Sequence, residues 1–278
     1  MLNLLPTLFA LLSTTAPTSP APNLSTTLAT TLAVAPTVVV PQDDPDSLPD
    51  KREEVAEMLV ALKDHAGARN GAEDREAIAV MENLVKEFEK SGPKDRKAIV
   101  GAVSNALKEK RKEDKDGNRD NRIFIGAAEA LGQMGPESVK PLESWIGHKA
   151  HKKDLALQRK LILALGLTKD EKSIDTLLDL LKNKDATLQA AASEALGNHS
   201  GRDEKARKEI FEEVLKIVTA AHNLVEQNVT DNIARERYDA IKGSMITTLQ
   251  IMSGESLREP NDFRTWWNKN KKKNWDED

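Results

Sequence analysis

The sequence predicts an all-α protein: an α-solenoid of stacked antiparallel helix pairs behind a disordered N-terminal leader. Three observations carry that expectation. From residue 51 onward, apolar residues recur at spacings of three and four, with no sustained alternation. A thirteen-residue pattern closing on Ala-Leu-Gly returns three times. Aromatic residues make up only 4% of the 278 residues and cysteine is absent. Few aromatics argue against a β-sandwich or barrel. The missing cysteine excludes a disulfide framework, a zinc ribbon, an iron–sulfur site and a thiol nucleophile. The formal net charge of −4 offers no global attraction to nucleic acid or anionic lipid.

Residues 1–35 read as a signal-peptide-like leader, and 36–50 as a Pro/Asp-rich linker. Leu2, Leu4, Leu5, Leu8, Phe9, Ala10, Leu11 and Leu12 form a run of the size of a signal-peptide core, too short to span a bilayer. Cleavage is expected near Ala16 or after Ala33-Val34-Ala35. No Lys or Arg precedes the run, so a Thr/Pro-rich tail that is never exported is the other reading. Eight of the twelve prolines lie in the first 50 residues, and their only charges are Asp43, Asp44, Asp46 and Asp50. The remainder therefore carries 41 residues of each sign, and the net charge belongs to the leader and linker. Export to the periplasm or cell surface is expected, with no integral span in the mature chain.

Residues 51–260 are expected to form four or five helix pairs. Val55, Met58, Leu59 and Leu62 mark the first helix. Glu73 to Lys90 and Lys94 to Arg111 make a pair around Ile78, Met81, Leu84, Val85 and Phe88, then Ile99, Val103, Ala106 and Leu107. Ser91-Gly92-Pro93 breaks them apart.

Three gap-free windows follow: 120–132, 154–166 and 185–197. Each opens on Asp, places an aliphatic residue three positions on (Ile123, Leu157, Leu188) and ends Ala-Leu-Gly. The Asp suits a helix N-terminus, where its carboxylate accepts from free N–H groups and meets the positive end of the dipole. Small residues let two backbones approach. The Gly is expected to take the left-handed conformation that stops a helix. Second helices then run from Pro136 to Trp145, Ser173 to Lys182 and Ala206 to about Asn223, with Pro136 in a first turn. Arg235 to Ile251 closes the series.

This pattern resembles the HEAT repeat, a helix-pair unit that stacks into an α-solenoid. The resemblance covers roughly residues 120–223 and implies a curved stack whose second helices line the inner surface. Where the family carries an Arg after its opening Asp-x-x-Val, this chain has Phe124, Gln158 and Gln189. The family's Asp/Arg ladder is therefore expected to be absent or altered. Degenerate end units are expected, because a solenoid's ends need polar faces.

Residues 261–278 form a Trp/Lys-rich cap or tail. The stretch from Gly254 to Asn270, with Phe263-Arg264-Thr265-Trp266-Trp267, resembles the Trp-Trp tail of some exported bacterial, planctomycete-type HEAT-repeat proteins. That resemblance implies an architecture and a compartment, and no reaction. Trp266, Trp267 and Trp275 read either as an aromatic platform for a partner or as a cap over the last helices. Lys269, Lys271, Lys272 and Lys273 are offset by Asp276, Glu277 and Asp278, which disfavours nucleic acid.

Other candidates reduce to structural roles. Asp114 to Asp120 suggests calcium, but aligning Gly117 with the sixth position of an EF-hand loop puts Lys112 first and Ile123 twelfth, and the motif fails. His148 and His151 are surrounded by Lys149, Lys152 and Lys153, which repel a cation, so no metal is expected. His65, His199 and His222 suit helix ends or surfaces. No nucleophile elbow, phosphate loop or His-Glu-x-x-His occurs, and no cofactor is expected. Three Asn-x-Ser/Thr sequons, at Asn23, Asn198 and Asn228, are about what chance supplies.

The polar positions of the second helices are the candidate binding residues: Lys140 and Glu143, then Asp175, Asp179 and Lys182, then Glu209, Glu212, Glu213 and Lys216. The last set is the most acidic and points to a partner with a basic patch. The function expected is a non-enzymatic scaffold or adaptor for protein–protein interaction outside the cytoplasm. An enzyme or small-ligand-binding protein on the same solenoid, lyase-like, and a purely structural envelope protein are the alternatives.

Overall fold

The computed structural model describes residues 47–113, 115 and 119–277. The leader, most of the linker, and Asp114, Asp116, Gly117 and Asn118 of the calcium reading lie outside the described residues. All that follows concerns the described residues, which belong to one compact unit. Among the described residues it is all-helical: α1 Glu53–Ala66, α2 Asp74–Phe88, α3 Pro93–Ala106, α4 Arg122–Gln133, α5 Val139–Trp145, α6 Leu155–Leu167, α7 Lys172–Leu180, α8 Ala186–Gly197, α9 Glu204–Gln227, α10 Asn232–Ser253 and α11 Pro260–Asn270.

The first helices α2, α4, α6, α8 and α10 pack successively on one another and form one layer. The second layer holds α3, α5, α7 and α9. There α3 rests on α2 and α4, and α7 on α6 and α8, so these two second helices each bridge two units, while α5 rests on α6 and α9 on α10. The helix α1 covers α2 and α3 at one end, while α11 packs on α9 at the other. The leucines of the three Ala-Leu-Gly windows, Leu131, Leu165 and Leu196, are fully buried. Burying one such side chain contributes roughly 1.5–3 kcal/mol.

The glycines of those windows do not stop their helices through a left-handed backbone, although α8 ends at Gly197. Gly132, Gly166 and Gly197 keep right-handed backbone, and the left-handed residues come later, at Gly135 and Lys169. Their conserved spacing within this chain has a different cause. A Cβ on Gly132 would lie 2.9 Å from the Cα of Ala164, and one on Gly166 would lie 2.6 Å from the Cα of Ala195. The Gly of one unit thus stacks on the Ala of the next unit's Ala-Leu-Gly, and only hydrogen fits. Gly197 faces side-chain atoms of Ile251 and Thr248 instead, at 3.5 and 3.8 Å.

Helix starts follow the expected chemistry at two of three windows. Asp154 accepts from the Leu157 amide at 3.0 Å, and Asp185 from those of Thr187 and Leu188 at 2.9 and 3.1 Å. Asp120 is the exception. Asn121 occupies the N-cap position of α4, and the Asp120 carboxylate takes the Arg122 amide at 3.1 Å and the Arg122 guanidinium. The interrupted ladder is replaced piecemeal. Asn121 Nδ2 donates to both oxygens of Asp154, at 3.2 and 3.0 Å, as one rung between units. Gln158 and Gln189 are buried and turned to loops: Gly147 N donates to Gln158 Oε1, and Gln189 Nε2 donates to the Leu181 carbonyl.

Candidate interaction groove

On α7, Ile174, Leu177 and Leu178 turn inward, which leaves Asp175 and Asp179 on the opposite face with Lys182 one turn on. On α9, Ile210, Phe211, Val214, Leu215 and Val218 are buried, and Glu209, Glu212, Glu213 and Lys216 form a polar stripe at helical spacing. The two helices are not closely packed against each other. Between them lies a groove of about 720 Å³, lined by Asp175, Leu178, Asp179, Lys182, Glu209, Glu212, Glu213 and Lys216.

Five carboxylates and two ammonium groups share this space. Lys182 pairs with Asp179 at 3.0 Å and Lys216 with Glu213 at 3.7 Å, each within its own helix. Among the described residues, the carboxylates of Asp175, Glu209 and Glu212 have no hydrogen bond or ion pair. All three are exposed. The excess negative charge is therefore uncompensated, and the walls repel one another across the groove. A second cleft of about 510 Å³ adjoins it, lined by Asp170, Glu171, Lys172, Asp175 and Arg202. Asp175 belongs to both.

Seven of the nine residues predicted as a binding face thus share one groove. The other two stand on α5: Lys140 is exposed, and Glu143 accepts from the hydroxyl of Thr176 on α7. Leu178, the apolar floor, was legible only as core. Asp170, Glu171 and Arg202 belong to loops, where helical periodicity gives no signal, although two acids just before α7 mark the spot.

The three C-terminal tryptophans converge on the fully buried Phe211 of α9. Ring centroids lie 5.3 Å away for Trp266, 5.2 Å for Trp267 and 5.6 Å for Trp275, with Phe263 at 6.1 Å. Trp267 is buried and the other two indoles are half-buried. The tail is fastened by Trp275 N donating to Glu204 Oε1 at 2.7 Å, by Lys208 Nζ donating to the Lys273 carbonyl at 2.6 Å, and by the Arg207–Asp276 ion pair. These rings cover the side of α9 that carries Phe211.

Two of the histidines are built into the packing. His151 is buried between Phe124 and Trp145, its Nε2 2.7 Å from the Leu107 carbonyl and its Nδ1 2.7 Å from the Arg119 guanidinium. Nε2 therefore donates and Nδ1 accepts. Burial holds its pKa below the ordinary value, and the Arg119 charge adds to that. His199, also buried, has Nε2 3.3 Å from the Ser173 hydroxyl, and burial depresses its pKa to about 4. Among the described residues, no three or more His, Asp or Glu side chains are arranged to hold a metal ion, and no helix is long and apolar enough to cross a membrane.

Residues 147–220 match the HEAT repeats family. The match runs from just before α6 to the middle of α9 and contains both walls of the groove. Neither a curated protein nor a solved structure matches the chain. HEAT repeats generally mediate protein–protein interaction.

Proposed function

We propose that this chain is a non-enzymatic HEAT-repeat scaffold that docks a basic segment of a protein partner in the α7–α9 groove, and that it works outside the cytoplasm. The observation that supports this reading is the groove's charge. Three exposed carboxylates, Asp175, Glu209 and Glu212, face open space without partners, above an apolar floor at Leu178. A segment carrying Lys or Arg around one aliphatic residue complements both features, and such contacts steer association as well as strengthen it. Export is supported by the apolar run near the N-terminus and by the Trp-Trp tail, which is like that of exported bacterial HEAT-repeat proteins of planctomycete type.

The test is capture from envelope fractions with the full chain as bait, beside a Glu209→Lys/Glu212→Lys double variant. A protein captured by the first and weakened at least about thirtyfold in the second is expected, since two charge contacts of about 1 kcal/mol each are lost and reversed. Equal capture by both, or recovery of a small metabolite instead of a protein, refutes the proposal.

A further inference from the structure

The hairpin formed by α9 and α10 outreaches its neighbours. Buried residues stop at Val218 on α9 and resume at Tyr238 on α10, so the intervening stretch contributes no buried side chain. Arg237 marks where α10 first meets the start of α8, through the carbonyls of Asn183 and Lys184. At the tip stand Glu226-Gln227-Asn228-Val229-Thr230, all five exposed.

We propose that Asn228 is an acceptor for N-linked glycosylation by an oligosaccharyltransferase that uses a polyprenyl-diphosphate-linked oligosaccharide. Three structural facts single it out. The Thr230 hydroxyl donates to Asn228 Oδ1 at 2.9 Å, so the sequon is already bent upon itself. Asn228 Nδ2, the atom that must react, has no hydrogen-bond partner among the described residues. The backbone at Asn228 has left the helix, with φ −136° and ψ 81°, and Glu226 to Thr230 around it are all exposed, so opening the tip itself unpacks no core residue.

The other described sequon fails on the same criteria. Asn198 Nδ2 donates to the Ala195 carbonyl at 3.4 Å, and the next residue, His199, is buried at 1% exposure. An acceptor must enter an enzyme as an open loop, and Asn198 cannot do so without unpacking the core.

The chemistry is a redox-neutral substitution. Asn228 Nδ2 attacks the anomeric carbon of the reducing-end sugar and forms the C–N bond. The bond from that carbon to the diphosphate oxygen breaks, and the lipid diphosphate leaves with the electron pair. The amide proton passes to a base of the transferase. A glycan there would also cover Leu224, Val229 and Ile233, which stand 58%, 66% and 81% exposed around the same tip.

The experiment is mass spectrometry of the native full chain, reading its N-terminus and the tryptic peptide Ile217–Arg235. A saccharide mass on Asn228 is expected, lost in Asn228→Gln and Thr230→Ala, kept in Thr230→Ser, and unaffected by Asn198→Gln. A chain that has lost its leader yet carries unmodified Asn228 overturns the proposal. If the native chain retains Met1, export has failed, and the decisive arm sends the same chain behind a proven signal sequence into a compartment holding such a transferase. Unmodified Asn228 there overturns the proposal, and modification at Asn228 supports it.

Discussion

Asp50 and Asp95 cap each other's helices. The Asp50 carboxylate accepts from the amides of Lys94 and Asp95 at the start of α3, at 2.8 and 3.3 Å. The Asp95 carboxylate accepts from those of Lys51 and Arg52 at the start of α1, both at 2.9 Å. The amide of Gly92 donates to the Pro49 carbonyl at 2.9 Å, so residues 49–52 are stitched to the α2–α3 turn.

Asp95 is buried and Asp50 half-buried, so their removal has unequal costs. Asp95→Ala leaves two amides without an acceptor and is expected to lower stability by about 2 kcal/mol, and Asp50→Ala by about 1 kcal/mol. Urea denaturation of the full chain measures both. Equal and negligible effects would show that water replaces the carboxylates without loss.

Gly166 and Gly197 occupy the same place in successive windows and should respond in opposite directions. Gly166→Ala forces a methyl group against the Ala195 backbone and is expected to cost about 2–3 kcal/mol through separation of α6 from α8. Gly197→Ala meets only side-chain atoms at ordinary contact distance, and the loss of glycine's unfolded-state entropy should stabilise by about 0.5 kcal/mol. Thermal melts of the two variants decide the matter, and a shared sign contradicts the stacking role of Gly166.

Acid should weaken the fold through His199. Its folded-state pKa is about 4, below the ordinary 6.5, so the unfolded chain binds the extra proton first. The sign follows: stability contributed by neutral His199 is full above pH 6.5, falls between 6.5 and 4, and levels off below 4. The loss amounts to about 3 kcal/mol across that window. His151 is shifted in the same direction and adds to the slope. Denaturation midpoints at pH 7 and pH 5 should differ more in the parent chain than in His199→Gln. An equal slope in both assigns the effect elsewhere.

Phe211 holds the aromatic cluster together. Phe211→Ala removes a fully buried ring that touches three indoles and is expected to cost about 3–5 kcal/mol. Trp275→Ala, at the half-buried edge, should cost about 1–2 kcal/mol and leave α9 in place. Tryptophan fluorescence during urea unfolding reports both. An effect of Trp275→Ala as large as that of Phe211→Ala would mean the tail is needed to fold α9.

The helical class, the repeat windows and the charged stripes of α7 and α9 were legible in the sequence by itself. Each is a local property: 3.6 residues per turn sorts side chains onto faces wherever the helix later goes. Glu209, Glu212, Glu213 and Lys216 share a face for that reason alone. Only the tertiary structure decided that this face looks across open space at Asp175 and Asp179, while Lys140 and Glu143 stand apart on α5. It also decided that Gly132 and Gly166 serve as contact points instead of left-handed helix stops, that Asp120 yields its capping place to Asn121, and that Asp50 and Asp95 exchange caps. These relations depend on the register of one helix against another. That register is set by the summed packing of Ala, Leu and Gly across the stack, and no single window of residues contains it.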